Sequence, residues 1–356
     1  MQGPINIINF IKDKSFEEVN ELLSAAPYFL KISDEDDLYM MNFTNVSDLK
    51  NQICREANGV IFQKGSNKLV HYSFPKTYEG INTDHEDTFK CDTINEKSVM
   101  KDGVEIPITL QLFTEGSLIK VFYDAEWKVA TSHKINATFS FWESEKSFKE
   151  LFYEALAEVE IHLEDLDREC CYSFILQHPD NHICKDITVP FTMVLNEFNT
   201  TDFTSVNTAS GFTLEGPLSS HKDKDMIVYI GEDRVKILSA AYLERKELFP
   251  NNFLKWTYLN SIVEGKEHAI RDSLPNKIKY FDAIDVKLNK EIEMIYNTYI
   301  FRHVEKRDFD MITKYKKIVY QLHGDYLQTR IPVSLNTVRD RIISMGTKSL
   351  TCICEL

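Results

Sequence analysis

Along the first 140 residues apolar and polar positions alternate in short runs, at Gly59–Gln63, Lys68–Phe74, Thr109–Leu112 and Leu118–Tyr123, each bounded by Gly, Asn, Asp or Pro. A period of two with such breaks predicts short, half-buried strands. Near residue 145 the period lengthens: Phe148, Leu151, Phe152, Ala155, Leu156, Val159 and Leu163 fall at helical spacing with Glu and Lys between them, which predicts one amphipathic helix. Strand patterns resume at Cys171–Leu176, Phe191–Asn196, Met226–Ile230 and Arg234–Leu238, the last two joined by Gly231-Glu232-Asp233, a hairpin turn by composition. Beyond about Leu248 glycines thin out. Phe281, Ile284, Leu288, Ile292, Ile295 and Tyr299 form one helical stripe, and Phe309, Ile312, Tyr315, Ile318, Val319 and Leu322 another. The pattern predicts an α+β body over residues 1–247 and an all-helical region over 248–356, without internal repeats or low-complexity tracts.

Composition narrows the picture. A chain of 356 residues with 43% apolar and 27% charged positions can bury a sizeable core, which excludes a disordered chain or a fibrous rod. No stretch approaches the roughly 18 apolar residues of a membrane span, and Met1–Phe10 lacks the basic start and apolar run of a signal peptide. Cys54, Cys91, Cys170, Cys171, Cys184, Cys352 and Cys354 are odd in number and lack C-x-x-C spacing, so neither a disulfide framework nor a zinc site is expected. A soluble protein of a reducing, cytoplasmic compartment follows as the expectation. The net charge of −14 argues against a broad basic surface for duplex DNA, so any nucleic-acid site must be a local groove on an acidic body. The acidic runs Asp34–Asp37 and Glu158–Asp167 fit no calcium loop and read as solvated faces. No metal ligand set and no cofactor site emerges.

Four segments in order carry a resemblance: Cys54-Arg55-Glu56-Ala57-Asn58-Gly59-Val60-Ile61-Phe62, Phe74-Pro75-Lys76-Thr77-Tyr78, Phe113-Thr114-Glu115-Gly116-Ser117-Leu118-Ile119, and Ala130-Thr131-Ser132-His133-Lys134-Ile135-Asn136-Ala137. Together they resemble the RNA ligase 1 family of T-even phages. The likeness continues through Pro179-Asp180-Asn181-His182-Ile183, through Val235-Lys236-Ile237-Leu238-Ser239 with Tyr242-Leu243-Glu244, and into Arg271-Asp272-Ser273-Leu274-Pro275, covering roughly residues 40–345. The resemblance implies a nucleotidyltransferase (ATP-grasp-like ligase) domain of antiparallel sheets with helices. In that family a lysine attacks the α-phosphate of ATP, the adenylate passes to an RNA 5′-phosphate, and a 3′-hydroxyl displaces AMP.

This chemistry needs an amine that can lose its proton and form a phosphoramide. At the family's lysine position stands Phe113, whose neighbours Gln111, Leu112 and Thr114 cannot substitute; Lys101-Asp102-Gly103 has the wrong spacing and Lys120 lies on the outgoing strand. Other positions depart too. Ile175 stands for an acid after Phe174, Asp225-Met226 for E-G, and Leu238 for the second lysine of K-x-K. Carboxylates for Mg²⁺ and cations for phosphate are parts of one mechanism. The expectation is a ligase-like protein with no catalytic residues and no bound metal.

The resemblance assigns Arg55 and Lys76 to the nucleotide phosphates, and Glu115 and Lys236 to the pocket. Phe113 and Trp142 add aromatic faces on which a base could stack, although each also fits ordinary core packing. His133, a lone histidine without a paired acid, receives no catalytic role. The expected function is binding of an RNA 5′ end or a capped RNA, since a cap reader needs aromatic faces, an acid and basic groups, as in a translation or RNA-processing protein of a large DNA virus acting in host cytoplasm. The competing expectations are an active RNA ligase or repair enzyme with another nucleophile, and a structural subunit that meets a protein partner through its helical region.

Overall fold

The structure is a computed structural model and describes residues 3–181, 187–206, 213–249 and 254–354, apart from 143. It is a mixed α+β protein of antiparallel sheets with a helical C-terminal region. Two compact units divide the chain, Met1–His182 with Ile187–Leu243 in one and Glu244–Leu356 in the other.

In the first unit, β1 (Lys31–Glu35), β2 (Leu38–Asn42), β3 (Asn58–Gln63) and β4 (Leu69–His71) pair in sequence order as one antiparallel sheet. Helices α1 (Ile5–Ile11) and α2 (Phe16–Ser24) bury Ile7, Ile11, Val19 and Leu23 in the same core as Tyr39, Met40, Met41 and Phe62. These helices arise in a stretch where alternation predicted strands. What starts α2 is a reciprocal cap: Ser15 Oγ accepts from Glu18 N, and Glu18 Oε2 accepts from Ser15 N at 2.8 Å. The short helix α3 (Gln52–Glu56) leads into β3, and its Glu56 accepts from the Ile7 amide at 2.9 Å, tying α1 down.

A six-stranded sheet runs in the order β15 (Asp233–Ile237), β14 (Met226–Ile230), β7 (Val104–Leu112), β6 (Ser98–Lys101), β5 (Thr93–Ile94), with β13 (Thr213–Leu214) paired to β7. A five-stranded sheet has the order β12 (Ser205–Val206), β11 (Phe191–Asn199), β10 (Cys170–Gln177), β8 (Ser117–Asp124), β9 (Glu126–Thr131). On the latter packs α4 (Phe148–Glu158), started by a Ser147–Glu150 capping box and burying Leu151, Phe152, Ala155 and Leu156 against Phe174 and Leu176. The helix stops at Glu158, so Leu163 buries from a separate turn.

Where β8 meets β3 lies a fully buried lysine. Lys120 Nζ donates to the carbonyls of Asn58, at 3.1 Å, and Gly59, at 2.5 Å. Gly59 holds φ at +71°, and a Cβ there would sit 1.9 Å from Nζ, so backbone conformation and the lysine both require glycine. Burial, against a small opposing effect of Cys171, pushes the amine down to about 7. Burial and then the Lys120 charge push the neighbouring His71 down to about 3, against the pull of its Nε2 contact with the Tyr172 carbonyl at 3.1 Å.

In the second unit, α8 (Ile278–Tyr299) buries Phe281, Ile284, Leu288, Ile292, Ile295 and Tyr299, the whole predicted stripe. Tyr258 of α6 (Leu254–Glu264) stacks on Phe281 with centroids 4.4 Å apart. Arg271 of α7 (Glu267–Ser273) donates to Asp285 at 2.6 Å, Asp282 at 2.9 Å and the Tyr258 hydroxyl at 2.9 Å. The second stripe is only partly realised. Helix α9 (Thr313–Thr329) buries Tyr315, Ile318, Val319 and Leu322, whereas Phe309 and Ile312 precede its first turn and are exposed. Helices α10 (Leu335–Ser344) and α11 (Thr347–Ile353) complete the α-helices of this unit among the described residues, while α5 (Ala240–Glu247) begins in the first unit and ends in the second. No helix among these residues is long and apolar enough to cross a membrane, and the six described cysteines are free thiols, Cys184 lying outside the described residues.

Two outcomes test this packing. Leu288→Asp should destabilise the protein by several kcal/mol, because the carboxylate would be buried without a partner, and an unchanged melting temperature would show the stripe to be exposed. Lys120 binds a proton more weakly folded than unfolded, so between about pH 7 and 10.5 the unfolded chain holds more protons and this residue's contribution to stability rises with pH. In chemical denaturation the stability of wild type minus that of Lys120→Met should therefore grow by several kcal/mol across that window.

Candidate functional site

Between the six-stranded and five-stranded sheets lies a pocket of about 210 Å³. One wall follows from register. Tyr229 pairs with Arg234 and Ile227 with Lys236 across β14 and β15, and Ile227 pairs with Gln111 of β7, so these five side chains share one face. On the opposite wall Leu118, Ile175 and Met193 align across β8, β10 and β11. Leu195 joins them at the bulge where the β10–β11 register shifts. The end of the pocket is the connection from β7 to β8, through Leu112, Phe113, Thr114 and Gly116, which carries the chain from one sheet to the other. A Cβ on Gly116 would meet the Leu176 carbonyl at 2.5 Å and Ile175 Cγ1 at 2.8 Å, so the crossing depends on close backbone approach.

Phe113 is fixed from behind. Its amide donates to the Asp225 carbonyl at 2.8 Å, while Asp225 Oδ1 accepts from the Ser239 amide and hydroxyl at 2.8 Å each, pinning the ends of β14 and β15 to the same point. Its ring meets Tyr242 edge to face at 5.8 Å and lies 5.8 Å from Lys236 Nζ.

Beside the pocket the charges alternate in a chain. The segment at Tyr78 forms a parallel bridge with Val235: Tyr78 N donates to Arg234 O and Lys236 N to Tyr78 O, both at 2.9 Å. This places Glu79 between Lys236, at 2.9 Å, and Lys76, at 3.0 Å. Lys76 also lies 3.3 Å from Asp87, which pairs with Arg55 at 2.7 Å. Burial would raise the Glu79 carboxyl, yet hydrogen bonds and charge from Lys236 and Lys76 outweigh it and hold the group at about 2.

The residues expected to form the site are divided by this geometry. Phe113 and Lys236 line the pocket, and Lys76 joins them through Glu79. Arg55 is not brought to the wall. It is 2% exposed, its guanidinium lies 3.4 Å from the Tyr78 ring centroid, and it donates to Asp87, Leu49 O and Lys76 O, so its charge is engaged inside the protein. Glu115 is in the β7–β8 connection but not among the lining side chains; its carbonyl accepts from Gln177 Nε2 at 2.6 Å. Trp142 likewise lies off the wall, in the partly exposed segment before α4. Ile175, which stands for an expected acid, faces the pocket as part of an apolar wall. No carboxylate is among the described lining residues, and no group of three or more His, Cys, Asp or Glu among the described residues is arranged to hold a metal ion. Of Pro179–Ile183, His182 and Ile183 lie outside the described residues, and Asn181 donates to Ser117 Oγ at 2.9 Å.

Arg234 was not anticipated. It is 9% exposed, lines the pocket, and stacks its guanidinium 3.6 Å from the Phe74 ring centroid. The signal was present in the sequence, since Arg234 is two residues from Lys236 on a strand and must share its face.

No family model matches the chain. A segment of 73 residues is 37% identical to the "Immediate-early protein ICP-46 homolog" of Invertebrate iridescent virus 3, and covers 19% of this chain and 16% of that protein. Among solved structures the chain is similar to an archaeal ATP-dependent RNA ligase, form 1, at TM-score 0.40 and 10% identity, over 68% of this chain and 65% of that one. Form 2 gives TM-score 0.40 and 8% identity, over 79% and 77%.

Glu79→Gln should test the charge chain. Because Glu79 is more acidic folded than unfolded, its stabilisation is complete above about pH 4.5 and is lost as the pH falls toward about 2. The variant should be less stable by about 1–3 kcal/mol at pH 7. In acid titrations followed by circular dichroism, that gap should close between pH 4.5 and 2.

Proposed function

We propose that this chain reads an RNA 5′ end without forming a covalent intermediate, holding one nucleotide in the pocket between the two sheets. The observation that carries the reading is Phe113. Where the resembling ligases present an amine, a phenyl ring stands at the end of an apolar pocket flanked by Lys236 and Arg234, with Lys76 one ion pair away. A ring cannot attack phosphorus, but it can stack on a base, and the cations suit phosphate. At about 210 Å³ the pocket is below the roughly 300–1,000 Å³ typical of drug-sized ligands, which suits a single nucleotide unit better than a cap dinucleotide. A methylated guanosine cap is the less favoured ligand, because the acid that would read its Watson–Crick edge is not on the described wall. The competing reading, ligation through another lysine, would have to use Lys236 or Lys76, both held by Glu79, or Lys120, which is fully buried.

Under this proposal the protein works as a pseudoenzyme in RNA processing or translation in the host cytoplasm, and the short match to an iridescent-virus protein supports a viral setting. A protein partner would meet the helical unit, where Tyr320 and Leu327, seven residues apart on α9, are exposed.

Incubation with labelled ATP or GTP and Mg²⁺ should give no covalent band on a denaturing gel, and Phe113→Lys alone should not restore ligation, because Ile175, Met226 and Leu238 remain. A labelled band from the wild type would overturn the reading. In equilibrium titrations 5′-phosphorylated oligonucleotides should bind more tightly than 5′-hydroxyl ones, and Phe113→Ala should cost about 1–3 kcal/mol of affinity. Loss of thermal stability with affinity unchanged would make the ring a packing residue. Tighter binding of capped RNA would favour the cap.

A further inference from the structure

The cations around the pocket are not equivalent. Lys76 and Lys236 share Glu79, and Lys76 and Arg55 share Asp87, so each is already paired with a carboxylate. Arg234 is different. No carboxylate among the described residues pairs with it, and its Nε and Nη1 are buried without a hydrogen-bond partner among those residues. Its position is set by Phe74 on one side, by cross-strand Tyr229, whose ring centroid lies 5.6 Å away and whose side chain hydrogen-bonds the guanidinium, and by its own carbonyl, which accepts from Tyr78 N. A guanidinium kept charged and nine-tenths buried opposes folding unless something compensates it. Packing alone would be served better by an apolar side chain, which makes this arginine costly to stability and marks it for a ligand.

We propose that Arg234 forms an anion subsite of this pocket that takes the single terminal phosphate of a bound nucleotide, while the base lies along Phe113. The proposal rests on the nucleotide reading of the same pocket and adds the phosphate's location. A guanidinium presents a planar fork to two phosphate oxygens, and in a pocket wall without a carboxylate no internal anion competes for it. The lysines differ in this respect, because a phosphate there would first have to displace Glu79.

The test uses the full chain with AMP and GMP, adenosine and guanosine, and inorganic phosphate as probes, in equilibrium titrations and melting experiments. Wild type should bind each monophosphate about tenfold or more tightly than its nucleoside. Arg234→Gln should reduce that ratio to near one while nucleoside affinity stays within about twofold, and Arg234→Lys, keeping the charge without the fork, should fall between. The melting temperature of Arg234→Gln without ligand should equal or exceed that of wild type. A substantial fall there, with Arg234→Lys equally unstable, would make the arginine structural and overturn the subsite. A ratio unchanged in Arg234→Gln would also overturn it, as would nucleosides binding wild type as tightly as monophosphates, an outcome that leaves the nucleotide reading intact. If nucleosides and nucleotides both fail to bind but inorganic phosphate raises the melting temperature of wild type and not of Arg234→Gln, the subsite stands and the nucleotide reading falls.

Discussion

The arrangement depends on one alternating chain of charge, Arg55, Asp87, Lys76, Glu79 and Lys236, each link between 2.7 and 3.3 Å. Its members come from α3, from the irregular segment between β4 and β5, and from the edge strand β15. Isolated bridges between Tyr78 and Val235 and between Ile81 and Phe89, the hydrogen bond from Lys76 N to Arg55 O and the buried Phe89 ring help to hold that segment in place. The ion pairs do so as well, and because they are partly to fully removed from water their mutual attraction is less screened than at a surface. Breaking one member leaves the next without its counter-ion, so the group should respond to mutation as a unit.

The pocket is shaped by a second constraint, the short crossing of the chain between two sheets. Gly116 permits the crossing, the Asp225 to Ser239 hydrogen bonds brace it, and Phe113 is left at the end of the cleft as a consequence. An apolar wall from one sheet then faces a wall of mixed polarity from the other. That asymmetry gives a ligand one side on which to bury a flat ring and another on which to place charge. Under the proposed reading the same asymmetry makes Arg234 costly to the unliganded protein, so that stability is reduced where binding requires it.

The strands that build the site were legible as short alternating or apolar runs set between turn residues. Leu118–Tyr123, Cys171–Leu176, Met226–Ile230 and Arg234–Leu238 each fall on or within a residue of an observed strand. Strand β2 was not among those runs, and its Leu38-Tyr39-Met40-Met41 is buried on both faces. Helices α1 and α2 were too short to establish a helical period, although the Ser15–Glu18 cap was readable. At Phe309 and Ile312 the apolar spacing was present but the helix had not yet begun. Phe113 and Lys236 could be placed through ordered motifs. The partners that decide which cations are engaged could not, because Glu79 and Lys236 are 157 residues apart, and only the fold brings them together.

Lys120 carries a consequence for the chain's chemistry. In the folded protein its amine is depressed toward neutrality, the state in which an amine donates its lone pair, but it has no exposed surface. When β3 and β8 separate and the side chain reaches water, its proton affinity returns to that of an ordinary lysine and the lone pair is taken up by a proton at neutral pH. The reactive form and the accessible form thus belong to different conformations. Burial acts here as a chemical lock that keeps the folded-state amine from acylating and phosphorylating agents.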